Sequence, residues 1–389
     1  MRRVDACQLT FVFADSPQGG KSAEADDASS GKAWLLHTAD GKAAIASTAR
    51  AGDPATGHLL EQAASPGNLA RALLNVARNK GAAGVDGRSV DEVVEHAPSL
   101  LPKLRRSLLE GTYQPGAIRR VWIPKPGGGP DAKRGLGIPN VVDRVVQQAV
   151  LQVLEPVFEP TFHDSSHGFR SRRGAQTAIA EAKGYIEQGY DHVVDIDLSK
   201  FFDRVNHQRL LGRMAQRIAD GRILKLVHRM LKAKVVLPDG TMVSTDEGAP
   251  QGGPLSPLLS NVVLDELDKE LARRGLRFVR YADDFQIFVR SERAGQRVMG
   301  SVRRFIEGRL RLKVNEAKSS VARPDQLHFL GFTLKRNREG GVEIHLSERS
   351  EQRLIRRIRE LTPRTWGSSL NACMARVNRY LRGWYGYFR

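Results

Sequence analysis

The stretch Arg277-Phe-Val-Arg-Tyr-Ala-Asp-Asp-Phe-Gln-Ile-Phe-Val289 places two adjacent acids between two apolar runs. Short runs rich in Phe, Val and Ile around a tight polar turn predict a β-hairpin with Asp283 and Asp284 at its tip. Adjacent carboxylates between buried strands are costly, because like charges repel and each loses hydration. A divalent cation such as Mg²⁺, which prefers oxygen ligands, removes that cost. The alternative interpretation is an ordinary solvated turn, for which Asp is well suited.

A second pair of acids lies upstream, where Val193-Val-Asp-Ile-Asp-Leu198 predicts a buried strand with Asp197 at its end. Asp195 lies two residues before Asp197 and therefore on the same face of the strand. We expect Asp195 to pair with a nearby basic group. The strand is followed by Ser199-Lys-Phe-Phe-Asp203, in which we expect Asp203 to cap or orient the next helix. The candidate chemistry is therefore concentrated at two acidic places along the chain.

The composition indicates a folded protein with a polyanionic partner. The chain has 389 residues, 41% of them hydrophobic, and 61 Lys and Arg against 43 Asp and Glu give a formal net charge of +18. Such a surplus is typical of proteins that bind nucleic acid. We find no apolar stretch approaching the ~20 residues of a membrane span, so we expect no membrane association and a cytoplasmic location. Two cysteines, Cys7 and Cys373, cannot build a disulfide framework.

The positive charge is unevenly distributed. Residues 1–57 carry six basic against seven acidic residues and lack a sustained apolar period, so we expect a weakly ordered leader. The chain after Ser347 carries ten Arg against three Glu in a helical pattern. The basic character is therefore strongest at the C-terminal end.

Between these ends the pattern alternates helices and short strands. Apolar spacing predicts helices over Leu59–Asn79 and Val90–Glu110, and a further helix over Asp143–Glu155 that Pro156 would stop. Arg119–Pro124 predicts a short strand.

Several motifs together resemble bacterial group II intron reverse transcriptase/maturases, over the chain from about Leu59 to its end. The three most specific motifs occur in the family's order: Asp197-Leu-Ser-Lys-Phe-Phe-Asp203, Gly248-Ala-Pro-Gln-Gly-Gly-Pro-Leu-Ser-Pro257 and Tyr281-Ala-Asp-Asp284. Further matching stretches are Ile123-Pro-Lys-Pro-Gly-Gly-Gly129, Leu136-Gly-Ile-Pro139, His167-Gly-Phe-Arg170, Phe329-Leu-Gly-Phe332 and Arg379-Tyr-Leu-Arg-Gly-Trp384.

The resemblance implies an α/β (α+β) right-hand polymerase with fingers, a palm built on an antiparallel sheet with helices, and a helical thumb. Fingers and palm would occupy residues 58–335, and the thumb with the start of a maturase domain residues 336–389. Since the family's maturase domain normally continues further, we expect an incomplete one. We also expect no DNA endonuclease module, because no Cys-x-x-Cys pairs follow.

The resemblance also implies the catalytic residues. Asp197, Asp283 and Asp284 would hold two Mg²⁺ ions for nucleotidyl transfer. Phe202 falls where such enzymes place an aromatic steric gate against the 2′-hydroxyl of ribonucleotides; ordinary core packing is the alternative.

Other matched residues would bind substrates. Lys125 and Arg134 would grip the incoming triphosphate, although an unusual preceding turn leaves Lys133 as an alternative to Arg134. Gln251 would support nucleotide and template, beside glycines that admit close backbone approach. Lys318 would donate a proton to pyrophosphate, with a solvated surface lysine as the alternative. The primer grip would comprise Leu330, Gly331 and Phe332, for which hairpin core is an equally ordinary account.

The implied function is RNA-directed DNA polymerisation with assistance to intron splicing and mobility. The implied partners are RNA template or intron RNA, a DNA primer and dNTPs; the oligomeric state is not predicted. Two alternatives stay open, a non-catalytic RNA-binding maturase and a domesticated or host-defence reverse transcriptase.

Overall fold

A computed structural model describes residues 56–124, 133–365, 367 and 369–389. The helices are α1 (Leu59–Ala63), α2 (Pro66–Arg78), α3 (Val90–Glu95), α4 (Ala97–Leu109), α5 (Val141–Phe158), α6 (Ala175–Glu187), α7 (His207–Ala215), α8 (Gly221–Leu231), α9 (Ser256–Arg273), α10 (Glu292–Phe305), α11 (Glu348–Leu361) and α12 (Leu370–Phe388). The strands are β1 (Ile118–Pro124), β2 (Lys133–Ile138), β3 (His192–Ile196), β4 (Val235–Val236), β5 (Met242–Val243), β6 (Arg277–Tyr281), β7 (Asp284–Val289), β8 (Ser320–Ala322), β9 (Phe332–Arg336) and β10 (Val342–Leu346). The mixed class agrees with the prediction.

The predicted N-terminal helices are each divided in two. Pro66 starts α2, since proline lacks an N–H and suits the first helical turn. Ser89 caps α3 through the N–H of Glu92, whose side chain bonds back to Ser89 in a capping box. Helical periodicity continues across such breaks, so the sequence pattern did not reveal them.

The predicted end of α5 at Pro156 is wrong, because the helix continues to Phe158 with the proline inside it. An internal proline costs about 3 kcal/mol through one lost hydrogen bond and a steric clash. Val157 and Phe158 are 4% and 3% exposed and belong to the main hydrophobic core. Their burial offsets the cost, at about 1.5–3 kcal/mol for each large apolar side chain.

The central sheet has the strand order β6-β7-β3-β8, and its three neighbouring pairs are antiparallel. The predicted hairpin is confirmed, with Tyr281 paired to Asp284 at its closed end. Phe278, Phe285 and Phe288 are each 1% exposed, so the strands on both sides of the acids are buried. The predicted strand over Val193–Leu198 is β3, which lies next to β7.

The N-terminal sheet has the order β2-β1-β4-β5. Strand β1 confirms the strand predicted over Arg119–Pro124 and pairs antiparallel with β2 and parallel with β4. Of the predicted leader, all but the last two residues lie outside the described part of the chain.

The C-terminal part consists of the β9–β10 hairpin followed by the predicted basic helices. Helix α12 returns to the hairpin, where Phe388 packs on Phe332 with ring centroids 5.2 Å apart. Among the helices of the described part, none is both long and apolar enough to cross a membrane.

Candidate active site

The register of the central sheet brings acids that are distant in sequence to one end of it. Ile196 of β3 pairs with Phe285 of β7, so one further step sets Asp197 opposite Asp284. Residues directly opposite in an antiparallel pair share a face, and Asp195 lies on that face too. Asp283 precedes Asp284 in the hairpin turn. The three predicted catalytic acids are therefore brought together by backbone geometry.

The electrostatics of this end of the sheet show mutual repulsion. Burial first, and then the neighbouring charges of Asp283, Asp195 and Asp197, together raise the pKa of Asp284 to about 7, against the opposing effect of Arg134. Burial likewise raises the pKa of Asp283; its own backbone N–H, Arg134 and Arg280 lower that pKa, and Asp197 raises it. Asp284 reaches the surface, but the surrounding protein removes much of its hydration. The acids therefore disfavour one another's ionised forms.

The donor set fits Mg²⁺, which prefers carboxylate oxygens and relieves such repulsion. Within the part of the chain that the structure describes, however, no group of three or more His, Cys, Asp or Glu side chains is arranged to hold a metal ion. The main chain brings Asp197, Asp283 and Asp284 to the same end of the sheet.

Sequence reasoning missed Arg280, the residue that supports the hairpin turn. Its side chain is fully buried, and Asp268, also fully buried, accepts two of its hydrogen bonds at 2.8 and 2.6 Å. The remaining N–H groups donate to Asn261 Oδ1 at 3.0 Å, to the Ala282 carbonyl at 2.9 Å and to Ser166 Oγ at 2.7 Å. All five guanidinium donors are used, which is the pattern that makes a buried charge tolerable. The feature of the sequence that could have revealed Arg280 is a charged residue at a position where the strand is expected to be buried.

The motif His167-Gly-Phe-Arg170, which had no predicted role, packs against the same turn. The His167 N–H donates to the Arg280 carbonyl at 2.8 Å. Ala282 holds a left-handed φ of +59°. A Cβ on Gly168 would lie 2.2 Å from the Ala282 nitrogen, so only glycine fits there. The motif therefore braces the hairpin turn that carries Asp283 and Asp284.

Two expectations about neighbouring acids are wrong, namely the basic partner of Asp195 and the capping of the next helix by Asp203. Asp195 is bonded not to a base but to the amide of Gln286, whose Nε2 donates to it at 3.1 Å. The two residues lie directly opposite in the β3–β7 register, which the sequence alone did not reveal. Asp203 is exposed and does not cap α7; Asn206 does so, accepting from the N–H of Arg209 at 3.0 Å.

Lys318 lies in a turn that is bonded to the backbone of Asp197. The Asp197 N–H donates to Ser319 Oγ at 3.1 Å, and the Asn315 N–H donates to the Asp197 carbonyl at 2.8 Å. The Lys318 side chain is exposed. Both the predicted proton-donor role and the solvated alternative are compatible with this position.

Phe202 is 9% exposed and packs edge-to-face on Phe201 with ring centroids 5.1 Å apart. Its carbonyl accepts from the Ala249 N–H at 2.7 Å, so the segment carrying Gln251 is joined to the predicted gate. The Gln251 carbonyl in turn accepts from the Gly137 N–H in β2 at 2.7 Å. A Cβ on Gly252 would lie 2.5 Å from the Gly137 oxygen in β2. The glycine therefore lets the backbone of this segment approach the backbone of β2 closely.

Lys125 lies outside the described residues. The choice between Lys133 and Arg134 can be compared directly, since consecutive strand residues point to opposite faces. Arg134 is exposed, and its positive charge lowers the pKa of both Asp283 and Asp284. Arg134 therefore faces the acidic end of the central sheet.

Comparison with protein families agrees with this geometry. The family described as reverse transcriptase (RNA-dependent DNA polymerase) matches residues 123–334, which include all three acids. The chain belongs to the reverse transcriptase family. The group II intron maturase-specific domain matches residues 351–389, in α11 and α12. The predicted resemblance to group II intron reverse transcriptase/maturases is thereby confirmed.

Curated relatives of this reverse transcriptase include intron-encoded proteins. Protein YkfC of Escherichia coli (strain K12) is 33% identical over 82% of this chain and 91% of its own length. Group II intron-encoded protein LtrA of Lactococcus lactis subsp. cremoris is 29% identical over 70% of this chain and 55% of LtrA. The chain thus spans 55% of LtrA's length. Apo telomerase from Candida tropicalis aligns over 57% of this chain and 47% of its own at 14% identity and a TM-score of 0.44.

The predicted primer grip of this reverse transcriptase lies where the C-terminal helix docks. Leu330 and Gly331 have positive φ values of +52° and +87°. The Tyr387 hydroxyl donates to the Leu330 carbonyl at 3.0 Å. Phe332 is 6% exposed and packs on the rings of Tyr387 and Phe388, as the hairpin-core alternative describes. The aromatic end of α12 was missed as a support for this loop.

Proposed function

We propose that this reverse transcriptase extends a DNA primer on an RNA template, with Asp197, Asp283 and Asp284 holding two Mg²⁺ ions. The observation that carries the proposal is the register that sets Asp197 opposite Asp284, beside Asp283. The raised pKa of Asp284, about 7, supports it, because acids placed against one another in this way are typical of functional sites.

In the proposed reaction the primer 3′-hydroxyl releases its proton to water, its oxygen bonds to the α-phosphorus of the dNTP, and the bond from that phosphorus to the bridging oxygen breaks, so that pyrophosphate leaves. When bound, Mg²⁺ activates the attacking oxygen and stabilises the leaving group. Arg134, and Lys125 in the matching motif, bind the triphosphate, to which guanidinium and ammonium groups are suited. Lys318 donates a proton to the departing pyrophosphate.

Other residues select and position the substrates. Phe202 excludes the ribose 2′-hydroxyl with the part of its ring that stays accessible. The Gln251 segment supports the nucleotide and template, and its bond to β2 links it to the strand that carries Arg134. Residues Leu330, Gly331 and Phe332 support the primer end, through backbone and packing.

RNA is the second substrate, and the basic C-terminal helices supply its binding surface. We propose fingers and palm over residues 58–335 and a thumb with maturase-type helices over residues 336–389. Helices α11 and α12 lie in the segment that matches the maturase-specific domain. Assistance to splicing and mobility of an intron-type RNA is proposed on that match.

A non-catalytic RNA-binding maturase would need the positive surface but not the acids. Keeping Asp283 and Asp284 together is costly, since burial and like charges raise the pKa of Asp284 to about 7. A structural role offers no compensation for that cost, which favours the catalytic proposal. A host-defence reverse transcriptase would share the site and is distinguished by the RNA it copies.

The proposal is tested by extending a labelled DNA primer on an RNA template with dNTPs and Mg²⁺. We expect Asp283→Asn to abolish extension and to leave RNA affinity intact, whereas Asp203→Asn, which changes an exposed acid in the motif of Asp197, retains activity. Equal extension rates for the wild type and Asp283→Asn would overturn the proposal. RNA affinity should also fall steeply with salt, through counterion release.

A further inference from the structure

Trp122 lies on the N-terminal sheet with 51% of its surface exposed, which is unusual for the largest apolar side chain. It is paired across the strands with Gly135, which has no side chain to cover it. A Cβ on Gly135 would lie 3.0 Å from Cζ3 of the indole, so the ring lies against the bare backbone of β2. One face of the ring is therefore supported while the side chain stays half-exposed.

Arg120, two residues earlier on the same face, is held beside this ring. Its Nη1 donates to the Gly135 carbonyl at 3.0 Å, and its guanidinium carbon lies 5.9 Å from the centroid of the Trp122 ring. The hydrogen bond fixes the guanidinium in the position of a cation–π contact. The pair is thus preorganised without any partner.

The charge of this hairpin indicates which partner fits. Strands β1 and β2 carry four basic residues and no acidic one: Arg119, Arg120, Lys133 and Arg134. Strand alternation puts Trp122 and Arg120 on the face opposite to Arg134, which is directed at the catalytic acids. An aromatic ring beside basic side chains, here Arg120 and Lys133 on the same face, is the combination that binds single-stranded nucleic acid, by stacking on bases and neutralising phosphates.

We propose that Trp122 and Arg120 form a stacking site for an unpaired base of single-stranded RNA, outside the catalytic cleft. The inference builds on the proposed function, in that RNA is already a substrate of this chain. The ring stacks on the base, and Arg120 contacts the adjoining phosphate while remaining over the indole. Because Gly135 leaves the ring uncovered, a side chain at position 135 would block the base.

The experiment measures binding of a fluorescently labelled, unstructured RNA of about 15 nucleotides by anisotropy. A second RNA of the same length carries abasic ribose at every position, so it keeps the phosphates and offers no base for stacking. The variants are Trp122→Ala, Trp122→Phe and the control Met242→Ala. Met242 is 56% exposed on the same sheet but on the opposite face.

We expect Trp122→Ala to weaken binding of the intact RNA at least about five-fold, and to weaken the abasic RNA much less. Trp122→Phe should stay close to wild type, as should Met242→Ala. Equal losses on both RNAs, or no loss on either, would overturn the stacking site. Trp122→Ala should still extend a primer on RNA, because the stacking site lies outside the catalytic cleft. The proposed function fails on a different result, which is unimpaired DNA synthesis by Asp283→Asn. Failure of the stacking site and failure of the proposed function can therefore be distinguished.

Discussion

Arg280 Nη1 donates a hydrogen bond to the Ala282 carbonyl at 2.9 Å, in the turn that carries the proposed catalytic acids. The same guanidinium is paired with Asp268 of α9 at 2.6 Å. Through these bonds, and a third to Ser166 Oγ at 2.7 Å, a fully buried charge connects the helix, the hairpin and the residue that precedes the His167-Gly-Phe-Arg170 motif. The turn is therefore held in position by a charge pair that is buried away from solvent.

Replacing Arg280 with lysine, a shorter cation, tests the role of the hydrogen bond to the Ala282 carbonyl. Arg280→Lys has three donors in place of five, so at least two of the buried acceptors lose their partners. We expect the free energy of unfolding to fall by at least about 2 kcal/mol, and kcat for primer extension to fall about ten-fold in the fraction that remains folded. Urea unfolding and single-turnover extension measure the two effects. Arg277→Lys, at the exposed start of β6, is the matched control and should change neither.

Arg134 and Lys133 point to opposite faces of β2, so their substitution should change the KM for dNTP to different extents. Arg134→Gln should raise the KM for dNTP about ten-fold or more, since a charged hydrogen-bond partner of the triphosphate is lost. Lys133→Gln removes the same charge from the other face and should change KM by no more than about two-fold. Steady-state extension at varied dNTP measures both. A larger effect from Lys133→Gln would reverse the assignment.

Sugar selectivity should depend on one of two neighbouring rings. Phe202→Val opens space next to the nucleotide, so the preference for dNTP over rNTP, taken as a ratio of kcat/KM values, should fall about ten-fold or more. Phe201 is 2% exposed, and Phe201→Val should lower stability without changing that ratio. Unchanged selectivity in Phe202→Val would leave that ring with a packing role alone.

Stability towards acid should depend on Asp220, which joins α1 to α8. Burial raises its pKa, but hydrogen bonds from Arg222 and from the Leu60 N–H outweigh that effect, so the pKa lies below its ordinary 3.8. A lowered carboxyl pKa contributes stability above pH 4 that is lost as the pH falls through the folded-state value. Asp220→Asn should therefore cost about 1–3 kcal/mol of unfolding free energy at pH 7, and clearly less at pH 3. A pH-independent cost in urea unfolding would contradict this account.

The sequence was informative where one local pattern decided the structure. The hairpin around Asp283 and Asp284 was predictable because apolar runs flank a two-residue turn, and the resemblance connected it to Asp197. The partner of Asp195 and the network of Arg280 were not predictable, because both depend on contacts between distant segments. Pro156 misled for a related reason, since burial of Val157 and Phe158 outweighs the local cost.

The central claim is that Asp197 and the Asp283–Asp284 pair share bound cations. The most direct measurement counts Mn²⁺ ions, as a spectroscopic substitute for Mg²⁺, bound to a complex with RNA template, a dideoxy-terminated primer and dNTP. We expect about two ions in the wild type, the same number in the control Asp203→Asn, and fewer in Asp197→Asn. Equal numbers and affinities in the wild type and Asp197→Asn would contradict the account.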